Sequence, residues 1–149
     1  MPGIARWPGH IPSGSQSGQV VLTVDWAASM VALAGGSAPS NRPFDGIDVL
    51  PILTGKTPAR QRTVFWRRSL DPYRKNVKPH RAVRQGDWKY IDEPSGSRYL
   101  YNLSDDVAER VNLAQSKPEK AAAMARLLDD WEADVDPPLY DQRPKRRGK

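Results

Sequence analysis

The 149-residue chain contains no cysteine. Disulfides, thiolate metal sites and a cysteine nucleophile are therefore excluded, as is any residue made by oxidising a cysteine. No apolar run approaches the roughly 18 residues that a membrane span needs. The first residues, Met1 to Trp7, have no basic stretch leading into an apolar one, so they do not read as a signal peptide. With no targeting segment in view, the localisation is left open.

The chain is long enough for one modest core, and it is rich in breakers, with 14 prolines and 11 glycines. Short elements joined by loops are expected. The net charge of +6 is unevenly spread. The tail beyond residue 136 carries five Lys or Arg against Asp141, and Arg60 to Lys89 carries ten against Asp71 and Asp87. Such a band beside a basic tail can attract a polyanion, and it can equally serve as a solvated surface that keeps the protein dispersed.

Residues 3–7 form a short apolar run closed by Pro8-Gly9, which predicts a buried strand and a turn. His10 to Gly18 predicts a surface loop containing His10. Apolar residues at 24, 27, 28, 31 and 34 predict a helix, with Thr23 as its cap and Gly35-Gly36 as its stop. Trp26, Met30 and Leu33 give that helix a second apolar stripe, and the first sixty residues offer little to cover it. Residues 47–53 predict a short helix. Thr63 to Trp66 predicts a strand and Arg67 to Pro79 a long polar loop. Residues 81–84 and 88–91 flank Gln85-Gly86-Asp87 as a hairpin, and 98–101 adds another strand. Ser116-Lys117-Pro118-Glu119 has capping-box spacing, and Ala121, Met124, Leu127, Leu128 and Trp131 follow on one helical face. A small antiparallel sheet covered by this last helix is the packing the pattern favours, with Trp66, Trp88, Tyr90, Tyr99 and Trp131 in its core. Asp25, Asp45 and Asp48 read as caps and turn formers.

Five segments in order resemble one family. Gly3-Ile4-Ala5-Arg6-Trp7-Pro8-Gly9, the helix from Val24, and Phe44-Asp45-Gly46-Ile47-Asp48-Val49-Leu50-Pro51 resemble successive parts of formylglycine-dependent (type I), arylsulfatase-like sulfatases. Residues 82–91, Ala-Val-Arg-Gln-Gly-Asp-Trp-Lys-Tyr-Ile, resemble the family's AVRxGDWKxI hairpin. Leu100-Tyr101-Asn102-Leu103-Ser104-Asp105-Asp106, with Glu109, Asn112, Leu113 and Ala114, resembles LYDLxxDPxExxNLA.

The resemblance implies an α/β class, α+β as this chain stands. It implies the trailing strand and helices of an alkaline-phosphatase-like sandwich over 1–58. A small domain with an antiparallel sheet and C-terminal helix would occupy 59–136, followed by a basic disordered tail over 137–149. It implies hydrolysis of a sulfate ester by a formylglycine and a calcium ion, both upstream of the matching segment, so no catalytic or metal residue is assigned here. Ser37-Ala38-Pro39-Ser40-Asn41-Arg42 begins like the modification motif C/S-x-P-x-R, but its Arg falls one position late. The family's EGGxRVP stretch places Met1 where Val is usual, which suggests a start inside a longer reading frame.

The residues the resemblance offers for substrate are His80, Arg67, Arg68, Arg74 and Lys78, in a loop that approaches the active-site mouth of these enzymes. Expected partners are the N-terminal catalytic part, in cis or in trans, and a sulfated glycan, with neither nucleic acid nor membrane. Two other roles stay open: a non-catalytic module for sulfated glycans, and a subunit completing a separate N-terminal half.

Overall fold

The computed structural model describes residues 2–68 and 78–135. Arg74 and the basic tail, on which two expectations rest, lie outside the described residues. The chain divides into two compact units, Met1–Gln61 and Arg62–Lys149.

In the first unit, helix α1 spans Thr23–Leu33 and a single turn, α2, spans Leu50–Leu53. The predicted strand over 3–7 does not form. The segment is irregular, and Ile4 is 98% exposed. A strand needs a neighbour for its N–H and C=O groups, and none of the described residues runs beside this one. Pro8-Gly9 makes the expected turn, with His10 and Ile11 N–H groups donating to the Trp7 carbonyl.

The cap and the buried face of α1 both differ from expectation. The cap residue is Leu22, whose N–H donates to the Asp25 carboxylate in the first turn. The helix buries Asp25, Ala28 and Ser29, while Val24 is 43% exposed. An irregular segment, 46–49, explains the choice of polar residues. Its Ile47 N–H donates to Asp25 Oδ1 at 2.9 Å, and its Val49 N–H donates to Ser29 Oγ at 2.9 Å. Backbone donors arriving without a strand partner must be met by side-chain acceptors, because an unpaired buried N–H costs about 1–3 kcal/mol. Gly46 lies so close that a Cβ there would overlap the Val24 carbonyl. The stripe of Trp26, Met30 and Leu33 remains uncovered within this unit.

The second unit is a four-stranded antiparallel meander, β1 (Thr63–Arg68), β2 (His80–Gln85), β3 (Trp88–Asp92) and β4 (Arg98–Asn102), in that spatial order. Gln85 pairs with Trp88, so Gly86-Asp87 is a two-residue turn, and Gly86 takes φ 59°. Helix α3, Pro118–Asp134, packs on one face of the sheet. Val83, Tyr90 and Leu100 from the strands meet Met124 and Leu128 from the helix. Phe65 stacks on Trp131 with ring centroids 5.1 Å apart, and Trp88, Leu113 and Ala121 close the margin. The expected Ser116 cap does not form. Pro118 at the first helical position puts the cap at Lys117, and Ser116 Oγ donates instead to the Leu113 carbonyl.

The free edge of β4 is closed by the segment that follows it. Asn112 Oδ1 accepts from the Leu100 N–H at 3.0 Å, and its Nδ2 donates to the Arg98 carbonyl at 3.0 Å. Leu113 N–H then donates to the Leu100 carbonyl at 2.8 Å. Unpaired strand edges invite pairing with other chains, and this clasp removes the invitation. Upstream, Asp106 Oδ2 accepts from the Arg110 and Val111 N–H groups, which fixes the turn carrying Glu109. Asp106 and the pair Asn112-Leu113 thus have structural work at the edge of the sheet.

Candidate anion-binding face of the small sheet

Side chains alternate across a strand, so the basic residues of β1 and β2 divide between the two faces. Arg67 lies opposite Arg81 on the face that carries α3, and Arg68 lies opposite His80 on the other. The polar loop predicted from Arg67 onward therefore begins later, since Arg67 and Arg68 complete β1.

Two arginines facing each other repel. Carboxylates of α3 and β3 offset this. Arg67 Nη1 donates to Glu132 Oε1 at 3.0 Å. Arg81 donates to Asp92 and, at 3.0 Å, to Asp129. Burial disfavours the Arg81 charge, but the hydrogen bonds and fields of Asp92 and Asp129 outweigh it and raise its pKa. These pairs fasten the end of α3 to the sheet, and Arg67 is engaged there.

On the opposite face Arg68 is exposed and His80 half-buried, with exposed Lys78 two residues before it. Among the described residues no hydrogen bond or ion pair engages the side chains of Arg68, Lys78 or His80. Trp66, expected in the core, shares this face and is 41% exposed. Its neighbour across the strand is Ala82, followed by Ile91 and Tyr99 in the same row. The next row holds Val64, Arg84, Lys89 and Tyr101. There Lys89 Nζ meets Glu109 Oε1 at 2.6 Å, and Arg84 Nε donates to the Gly86 carbonyl. Of the sequence-selected residues, then, Arg68 and His80 come to one face and Arg67 to the other, exposed Lys78 precedes β2 by two residues, and Arg74 is outside the described residues. An Arg and a His directly across two strands can donate several hydrogen bonds to a sulfate or carboxylate.

The remaining candidates have local roles. His10 sits in an exposed turn with its ring stacked on Trp7, centroids 3.9 Å apart. Asp48 Oδ1 accepts from the Leu50 N–H at the start of α2. Ser37 is exposed in a loop. Among the described residues no group of three or more His, Cys, Asp or Glu side chains could enclose a cation. No C/S-x-P-x-R segment occurs in the chain, so the residues present do not fit a formylglycine centre. Sequence reasoning missed Asn112, Ser29 and the exposure of Trp66. The strand period alone, counted from buried Val83 and Tyr90, could have separated Arg67 from Arg68.

Residues 1–133 match the family model described as N-sulphoglucosamine sulphohydrolase, C-terminal. Arylsulfatase G of Rattus norvegicus is 31% identical over 151 residues, covering 91% of this chain and 29% of that protein. N-acetylgalactosamine-6-sulfatase of Sus scrofa is 43% identical over 150 residues, covering 85% and 28%. The structure of BT4656 in complex with its substrate D-glucosamine-2-N,6-O-disulfate superposes with a TM-score of 0.68 at 22% identity, over 97% of this chain and 29% of that one. The likeness to solved structures carries the fold, in which helices and a four-stranded antiparallel sheet follow an alkaline-phosphatase-like sandwich. The chain spans under a third of the length of these relatives.

Proposed function

The chain belongs to the sulfatase family, as its C-terminal domain, and from that premise we propose that it is the substrate-contacting C-terminal part of a hydrolase acting on sulfated sugars. Sulfatases generally use calcium and formylglycine. The observation that carries the proposal is the Arg68–His80 cross-strand pair, with Lys78 close in sequence, on a face where no carboxylate among the described residues bonds to them. In this reading the residues present bind and orient the anionic groups of a glycan. Ester cleavage belongs to a catalytic part joined in cis or supplied in trans. That part would also cover the exposed stripe of Trp26, Met30 and Leu33 on α1.

Retention of the full chain on immobilised heparin tests the binding half. Arg68→Ala combined with Lys78→Ala should elute at clearly lower salt, whereas Lys56→Ala should not. Equal elution of all three proteins would remove the proposal. The catalytic half is tested by sulfate release from an aryl sulfate. The chain alone should give none above background, and release at an enzymatic rate would refute the assignment of catalysis elsewhere.

A further inference from the structure

We infer that Trp66 is a stacking platform for a pyranose ring of a sulfated saccharide whose anionic group is held by Arg68 and His80. The inference rests on the proposed glycan contact and deepens it. Trp66 and Arg68 are two residues apart on one strand and on one face, so they stand about 7 Å from each other. A sugar ring beside Trp66 therefore brings an exocyclic sulfate to the Arg68–His80 pair. The indole is 41% exposed although the sheet has a well-filled core on its other side. The residue across from it is Ala82, whose side chain is a single methyl group. Isolated exposed aromatics are ordinary. What separates Trp66 from those is the adjoining donor pair, on a face where Glu109 is ion-paired with Lys89.

The chemistry fits a sulfated saccharide rather than a simple anion. Sugar C–H groups carry partial positive charge, and the face of an indole is its negative side. The guanidinium of Arg68 offers a planar fork of donors to sulfate oxygens. A ligand with both parts gains from both sites at once, and inorganic sulfate gains from only one.

Calorimetric titration of the full chain with a heparin-derived tetrasaccharide tests this, with inorganic sulfate titrated in parallel. Trp66→Leu should weaken tetrasaccharide binding about fivefold or more while leaving sulfate binding and the melting temperature unchanged. Arg68→Ala should weaken both ligands. If Trp66→Leu binds the tetrasaccharide like the wild type while Arg68→Ala is weakened, the platform is overturned and the glycan contact stands. If the wild type shows no tetrasaccharide binding, both are overturned. Should Trp66→Leu lower the melting temperature, Trp66→Phe decides: affinity kept by the remaining ring face supports the platform, and a loss equal to that of Leu removes it.

Discussion

Asn112→Ala should open the outer edge of the sheet. The Asn112 side chain makes three hydrogen bonds, accepting from Leu100 and Ala114 N–H groups and donating to the Arg98 carbonyl, each at 3.0 Å. A net contribution of about 0.5–1.5 kcal/mol each gives roughly 1.5–4.5 kcal/mol. Water can reach this edge and re-satisfy part of what is lost, which places the expected cost near the lower half, about 2 kcal/mol. For a domain of roughly 60–100 residues, 1 kcal/mol corresponds to about 4–8 °C, so the melting temperature should fall by roughly 8–16 °C. Asn112→Asp keeps both acceptor bonds and sets an oxygen against the Arg98 carbonyl, so it should fall between wild type and Ala. The assay is amide hydrogen exchange on the full chain, which reads this unit separately from the other. The Leu100 amide should lose protection first, before Val83 or Tyr90 in the interior of the sheet. If Asn112→Ala leaves Leu100 protection and the transition within about 0.5 kcal/mol of wild type, the edge is held by Leu113 alone and the reasoning fails.

Leu128→Ala removes a fully buried side chain between helix and sheet, and should cost about 2–5 kcal/mol by urea denaturation. Gly46→Ala should cost about 1–3 kcal/mol in the first unit, because its Cβ would overlap the Val24 carbonyl. Exchange at Ile47 and Val49 should then accelerate, while Gly3→Ala, with open space around it, changes nothing. Burial raises the Tyr90 and Tyr101 hydroxyls above the ordinary tyrosine value of 10.0. Their neutral forms are favoured in the fold, so this contribution is whole below pH 10 and is lost as pH rises through the folded values. The urea midpoint should therefore hold up to about pH 10 and fall as the pH rises above it, less steeply in Tyr90→Phe.

Local pattern was enough wherever an element buries itself against its own neighbours. The hairpin over 81–91 was legible because alternation, a Gly-containing turn and aromatic strand residues all agree. The helix over 118–134 was legible because its apolar period is clean and Pro118 marks its start. Pattern failed where a distant segment decides. The face of α1 followed from the arrival of residues 46–49 with N–H groups to satisfy, and hydrophobic spacing has no term for that. The strand expected at 3–7 required a partner strand, which a period cannot supply. Residues of the family pattern were visible as letters, yet the work of Asn112 became apparent only with the β4 edge beside it.

The charge distribution follows the same logic and bears on the site. Arg60 to Lys89 reads as one basic band in the sequence, but the strand period sorts it into separate environments. Arg67 and Arg81 face α3 and meet Glu132, Asp92 and Asp129, and Lys89 meets Glu109. Their charge is largely spent in holding the domain together, and exposed anions would compete for it poorly. Arg68 and Lys78 carry theirs at the surface. A sequence-level net charge therefore overstates what the band offers a ligand. Substituting Arg67 or Arg81 should register mainly as lost stability, because it leaves partly buried carboxylates without a partner. Substituting Arg68 should register mainly as lost anion affinity, with little change in melting. A reversal of that pattern would place the ligand face on the wrong side of the sheet.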